Sequence, residues 1–236
     1  MKGWSLYAAI SVFIVGLIVY SIQYVWNKPE LIVYHEPVYN VFWTGGYDST
    51  FLVLYLLKFG NVQPIYLQGC IDNETCDKKD RRSQYQEEKT MDTIRQLINS
   101  KYTLLPTKKI NNILLDEDTR KAAQESYKSG VGTRSINQYA FISQYCKDNN
   151  IIAYVGVVYS DGNWSNFPVI NKGTTRCRNT TLKLFKNFRF PCIHLSKKDM
   201  KYLLKNDELL NKTWSCWRPQ NGVPCGKCSM CKHRII

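Results

Sequence analysis

The sequence predicts an α/β fold, a parallel sheet flanked by helices, with a transmembrane helix before it and a four-cysteine zinc tail after it. Three observations carry that prediction. Short apolar runs at Val38–Trp43, Val62–Leu67, Ile151–Val158 and Phe188–Ile193 alternate with longer helical patterns, the order of a parallel sheet with crossover helices. Leu6–Trp26 is an almost continuous apolar and aromatic run, close to the ~20 residues that cross a hydrocarbon core of roughly 30 Å. Four cysteines crowd between Cys216 and Cys231.

Bulk composition sets the limits. The chain has 236 residues, enough for one domain with appendages and a core that needs no staples. Hydrophobic residues at 44% and charged residues at 22% exclude a disordered chain. A net charge of +13 favours acidic partners: nucleotides, RNA or an anionic membrane face. No Lys/Arg block is dense enough for an RNA-binding arm, so no stable nucleic-acid complex is expected.

The N-terminal segment comes first. Gly3–Asn27 carries no charge, and Trp4, Tyr7, Tyr24 and Trp26 sit at the ends of the apolar run, where aromatic belts form. A cleaved signal peptide is the rival reading. Its apolar region is normally shorter, and no small-x-small cleavage site closes this one. The expected divisions are 1–30 as a single-pass membrane anchor, 31–206 as the α/β domain and 207–236 as the tail.

Val38–Trp43 reads as a buried strand, and Phe51–Leu57 as the body of a helix reaching about Phe59. Between them stands Thr44-Gly45-Gly46-Tyr47-Asp48-Ser49-Thr50. Strand, glycine turn and helix in that order make an anion site. Glycines let the backbone approach a phosphate, and the first helical amides point at it. Thr44, Ser49 and Thr50 add hydroxyls. Asp48 falls in the first helical turn, where a carboxylate suits the dipole and is able to hold a magnesium ion. The loop is neither a Walker A sequence nor a Rossmann fingerprint. Its bland reading is an ordinary tight turn.

The rest of the domain follows by the same rules. Val62–Leu67 is a strand, and the charged 69–82 stretch with Cys70 and Cys76 a loop. Ser83–Ser100 is a helix with Met91, Ile94, Leu97 and Ile98 on one stripe. Tyr102–Leu105 is a short strand, and 111–128 loop and helix. Ser135 is placed to cap a helix over Ile136–Lys147. Ile151–Val158 is a strand leading into a loop rich in Asp, Asn and Gly. Thr180–Lys186 is helical, and Phe188–Ile193 a last strand. Ser196-Lys197-Lys198-Asp199 is a capping box for Lys197–Lys205. A ligand belongs beyond the carboxyl ends of such strands.

The tail spaces its cysteines Cys-x8-Cys-x2-Cys-x2-Cys, at Cys216, Cys225, Cys228 and Cys231. Overlapping Cys-x2-Cys pairs bring sulfurs together, and four thiolates close a tetrahedral zinc shell with no position open to substrate. An iron–sulfur cluster also accepts four cysteines, and free structural thiols are the plainest alternative. Gly226 allows the tight turn between ligands.

Thr44-Gly45-Gly46-Tyr47-Asp48-Ser49 resembles the Ser-Gly-Gly-x-Asp-Ser loop of the PP-loop ATP pyrophosphatases, which split ATP into AMP and pyrophosphate. Together with Thr213-Trp214-Ser215-Cys216 and the cysteine spacing after it, the chain from Val38 to Arg234 is similar to the 7-cyano-7-deazaguanine (preQ0) synthases. The resemblance implies an adenine nucleotide alpha hydrolase-like sheet and an ATP-dependent carbon–nitrogen ligase in queuosine-type biosynthesis. Its small-molecule substrates are 7-carboxy-7-deazaguanine and ammonia. The carboxylate is activated as an adenylate, attacked by ammonia, and the amide dehydrated with further ATP.

The resemblance implies that Thr44, Gly45, Gly46, Asp48, Ser49 and Thr50 hold ATP and Mg2+, and that Cys216, Cys225, Cys228 and Cys231 hold Zn2+. Catalytic candidates are Asp48, Ser49, Arg134 and Asp161. Arg134 falls where the family has Gly-Arg-Asn opening a helix, with the Asn displaced here to Asn137. Asp161 falls in the loop that contacts the base. The family's Pro-Asp-Cys-Arg reads Pro168-Val169-Ile170-Asn171, Tyr159 replaces an acidic residue, and the family's His after the second strand is absent, with Tyr85 and Glu88 nearby. These departures leave two other readings. One is a PP-loop ATPase acting on a different carboxylate or a tRNA base. The other is a degenerate, membrane-tethered nucleotide-binding homologue. An ATP loop and thiolates place the domain on the cytosolic side of the membrane. A homo-oligomer is compatible with all of this.

Overall fold

The structure, a computed structural model, describes residues 36–68, 83–128, 138–158, 181–205 and 207–232. All of them lie in one compact unit, Ile32–Ile236. Five parallel strands form the sheet: β1 (Val38–Phe42), β2 (Asn61–Leu67), β3 (Lys108–Ile110), β4 (Ala153–Val155) and β5 (Phe188–Arg189). Their spatial order is β3-β2-β1-β4-β5, so the order reverses between β1 and β4. In an open parallel sheet that reversal opens a crevice at the carboxyl ends of the two strands.

Strand alternation divides the side chains between two faces. Phe42, Ile65, Ala153 and Val155 share one face and join a core with Ala122 and Ala123 of α3 (Glu117–Lys128) and Ala140, Phe141 and Ile142 of α4 (Gln138–Asp148). Tyr39, Val41, Val62, Tyr66 and Tyr154 take the other face. There α1 (Tyr47–Leu56) packs on β1, β2 and β4, and Tyr66 donates to Glu87 of α2 (Gln84–Leu97) at 2.8 Å. The sheet is thus enclosed on both faces, as parallel sheets require. Helix α1 buries Phe51, Leu52, Val53, Leu54 and Leu56, which is why its sequence is apolar on every side.

Several boundaries differ from the sequence expectations. Tyr102–Leu105 is not a strand; Leu104 alone bridges to Val62, and the edge strand is Lys108–Ile110. The Arg95 guanidinium donates to the Leu104 and Leu105 carbonyls at 3.0 and 2.9 Å, drawing them away from a regular ladder. The edge strand escapes a hydropathy reading because its lysines face water, as edge strands favour. Of Ile151–Val158 only Ala153–Val155 is laddered, because Val157 N turns back to Val155 O at 3.0 Å. Of Phe188–Ile193 only Phe188–Arg189 is laddered, and turns follow with Ile193 N on Phe190 O and Leu195 N on Cys192 O. On α2, Met91 and Ile94 are buried while Leu97 is 48% exposed, so the stripe leaves the core at the helix end. The helix α5 is short, Thr181–Leu184. The capping box opens α6 (Lys197–Leu203) as read from sequence, Ser196 and Asp199 bonding each other's backbone amides.

The transmembrane helix is corrected, and with it the membrane anchor and the single-pass placement with the catalytic domain on the cytosolic side. Among the described residues no helix is long and apolar enough to cross a membrane. The longest, α2, has 14 residues, a rise of about 21 Å against a core of about 30 Å, and it is charged. The run Leu6–Trp26 lies outside the described residues. Hydropathy reports composition alone, whereas a span demands a continuous helix of sufficient length. Over the described residues the fold class is therefore the α/β sheet domain with its cysteine tail, and no transmembrane helix is among them.

Candidate functional site

The loop Thr44–Gly46 leaves the carboxyl end of β1 and runs directly into α1. Gly45 sits in the left-handed region at φ 69°, and a Cβ there would meet the Glu87 carbonyl oxygen at 3.0 Å and Thr90 at 3.3 Å. Glycine is required on both counts. Gly46 is the N-cap of α1, with extended backbone and no side chain to cap the helix; Thr50 N closes the first turn on Gly46 O at 2.9 Å. The first-turn amides of a ten-residue helix therefore face the crevice without a side-chain cap, an arrangement that suits an anion.

Hydroxyls brace this turn. Thr44 N donates to Ser49 Oγ at 3.3 Å, the Thr44 and Ser49 hydroxyls lie 3.3 Å apart, and Ser49 Oγ donates to Gly46 O at 3.2 Å. Thr50 is wholly buried, and its hydroxyl accepts from the Trp43 indole at 2.9 Å, tying helix to strand. Asp48 is half-buried in the first turn. Burial first, and its negative charge second, push the Tyr47 hydroxyl and the fully buried Cys192 thiol upward. The Asp48 charge thus reaches from the first turn of α1 to Cys192, in the segment after β5. One carboxylate among helix amides and hydroxyls fits a magnesium ion that brings its own phosphate ligands.

Sequence reasoning missed Gly156. It follows β4 directly, across the switch point, and a Cβ there would lie 2.8 Å from the Asp48 carbonyl carbon and oxygen and 2.9 Å from Ser49 N. The available signal was an isolated glycine in an apolar strand, which marks close backbone approach. Glu87 was missed too. Its buried carboxylate accepts from Tyr66 at 2.8 Å and Ser83 at 2.6 Å, so α2 presents its backbone against Gly45. Glu88, the next residue of α2, accepts from Gln68 and pairs with Lys109. Arg134 and Asp161 lie outside the described residues.

The tail brings its four sulfurs together. Those of Cys216, Cys225, Cys228 and Cys231 all lie within 4.8 Å of one another, and Cys225 and Cys231 are 4.0 Å apart. A tetrahedral shell with Zn–S bonds of about 2.3 Å sets sulfurs just under ~4 Å apart, so the group fits zinc. A hairpin turn at Asn221-Gly222, closed by paired bonds between Gln220 and Val223, returns the chain from Cys216 to Cys225. Gly226 takes φ 69° between Cys225 and Cys228. As thiols the four divide: the Lys227 and Cys228 amides hold Cys225 down to about 6, while burial and the neighbouring sulfurs push Cys231 up to about 12. Four thiolates this close repel, and a divalent cation among them offsets half of their charge.

No curated protein matches the chain. Among solved structures it is similar to one described as a predicted subunit of a tRNA methyltransferase from Methanocaldococcus jannaschii, at 15% identity and a TM-score of 0.41, over 72% of this chain and 75% of that one. The sequence pattern of the queuosine biosynthesis protein QueC family matches residues 40–235, well over half the chain and inclusive of both the glycine loop and all four cysteines. The chain belongs to the queuosine biosynthesis protein QueC family.

Proposed function

We propose that the Thr44–Thr50 loop is where this chain performs its family's reaction, the ATP-dependent conversion of 7-carboxy-7-deazaguanine and ammonia to 7-cyano-7-deazaguanine. The observation that carries the siting is the uncapped start of α1 at the sheet's switch point, with glycines at both backbone approaches. The amides of Gly46 and the first turn of α1 cradle phosphate, and Thr44 and Ser49 hold the loop's shape. Thr50 acts from inside, through Trp43. Asp48 holds Mg2+, which supplies charge neutralisation for the departing pyrophosphate. Arg134 pairs with phosphate or the activated carboxylate, and Asp161 faces the heterocycle; the resemblance alone supports these two. The four cysteines hold Zn2+ in a closed shell, remote from bond making.

The chemistry is electrostatic and positional, because ATP supplies the leaving group and no protein nucleophile is needed. Pyrophosphate release from ATP, measured with and without 7-carboxy-7-deazaguanine, tests it. Release that depends on the acid, with 7-cyano-7-deazaguanine formed in the presence of ammonia, is the expected result. Release indifferent to the acid would point to another acceptor.

A further inference from the structure

The glycine loop and the cysteine cluster meet through one residue. Trp214 N donates to Gly45 O at 2.9 Å. The same residue's indole donates to Cys216 O at 2.7 Å, and Cys216 Sγ belongs to the four-sulfur group and accepts from Cys225 N at 3.2 Å. Just upstream, the buried Thr213 hydroxyl donates to Leu210 O at 2.8 Å. Leu210 lies in a 3-10 helix, Glu208–Lys212, that packs on α1 and α2, the two helices walling the loop. Trp214 is therefore held from both sides.

The Gly45–Gly46 peptide is trans, and in a trans peptide carbonyl and amide point in opposite directions. With the Gly45 carbonyl on Trp214, the Gly46 N–H is turned away from the tail. Glycine peptides are the easiest in a chain to reorient, so an unheld Gly45-Gly46 unit would not keep its amide aimed. The hydrogen bond supplies what the glycines lack.

We propose that Trp214 is a positioning residue for the nucleotide loop and that the cysteine cluster, by fixing Trp214, couples zinc binding to nucleotide binding. The proposal rests on the reading above, in which the loop takes the phosphates of ATP and the four sulfurs take zinc. Coupling of this kind is reciprocal: zinc tightens ATP, and ATP tightens zinc by the same factor.

The test uses the full chain. ATP affinity is measured by calorimetry on the zinc-loaded protein, on protein stripped by a chelator, and on Trp214→Pro, the substitution that deletes the amide. Thr213, at φ −70° and ψ 154°, already has the extended backbone that a following proline demands. Trp214→Pro that retains one zinc by metal analysis is expected to bind ATP about 5- to 10-fold more weakly, because the bond that holds the Gly45 carbonyl is lost together with the indole bond to Cys216 O. In the wild type, competition with a chromophoric chelator is expected to show zinc held more tightly with ATP present, by the factor that zinc confers on ATP. That measurement needs no variant and decides alone if Trp214→Pro does not fold. Equal ATP affinity with and without zinc, or a zinc-loaded Trp214→Pro that binds like wild type, overturns the coupling and leaves the site reading intact. Zinc-loaded wild type that does not bind ATP overturns the site reading and the coupling with it.

Discussion

A methyl group on residue 156 has nowhere to go. Its neighbours would be the backbone of Asp48 and Ser49 at 2.8 to 2.9 Å, not the yielding end of a side chain. Gly156→Ala is therefore expected to push β4 off the start of α1, costing about 1–3 kcal/mol by overpacking and weakening ATP binding in the same variant. Thermal melts and ATP titration read the two effects; a variant that melts and binds like wild type would show that the strand end moves freely. Asp48→Asn makes the opposite pair of predictions. The amide is nearly isosteric and half-buried, so the melting temperature is expected to hold, while loss of the charge proposed to hold magnesium is expected to lower turnover on the order of 10²-fold. Steady-state kinetics over a range of magnesium concentrations checks it, and a collapse of the fold instead would place Asp48 in the structure and not in the chemistry.

At the scale of elements, α3 shows how one carboxylate opens a helix and joins it to another. Asp116 accepts from Thr119 N at 2.8 Å, from Gln144 and from Lys147 of α4 at 2.5 Å. The Lys147 ammonium, with the Thr119 amide and Gln144, holds its carboxyl far below the ordinary 3.8 despite an opposing cost of burial. A depressed carboxylate contributes stability that is fully present above its unfolded value and lost as pH falls through the folded one. Asp116 is about 40% exposed, so solvent screening keeps the gain modest. Asp116→Ala is expected to cost about 1 kcal/mol at pH 7, the usual worth of such a cap. The gap in melting temperature between the two proteins is expected to shrink as pH falls from 4 towards 2. A gap that is constant with pH would assign the loss to packing and not to charge.

At the scale of the whole molecule, the tail is bonded to the sheet domain at the glycine loop, through Trp214 N on Gly45 O. Metal content follows from the geometry of the sulfurs: purified protein is expected to carry one zinc per chain. Cys228→Ala is expected to lose most of it and to expose residues 213–232 to proteolysis, because metal binding is folding energy in so small a segment. Metal analysis and limited proteolysis check this. A variant that keeps its zinc, or a wild type that never held any, would leave the four thiols as structural cysteines.

The sequence by itself determined what is local or spaced along the chain. The glycine loop, its strand and its helix were legible because apolar period and turn residues occupy one contiguous stretch. The capping box at Ser196 and Asp199 was legible for the same reason, and the four cysteines because ligand spacing is written in sequence. Only the tertiary structure decided which backbones touch. Gly156 against Asp48, Glu87 against Gly45 and Trp214 on Gly45 each join residues far apart in the chain, through main-chain atoms that every residue carries alike. Side-chain chemistry advertises itself in a sequence, and backbone contact does not. The edge strand Lys108–Ile110 was invisible on the same ground, since its pairing is made by amides and carbonyls beneath lysines that report only exposure to water.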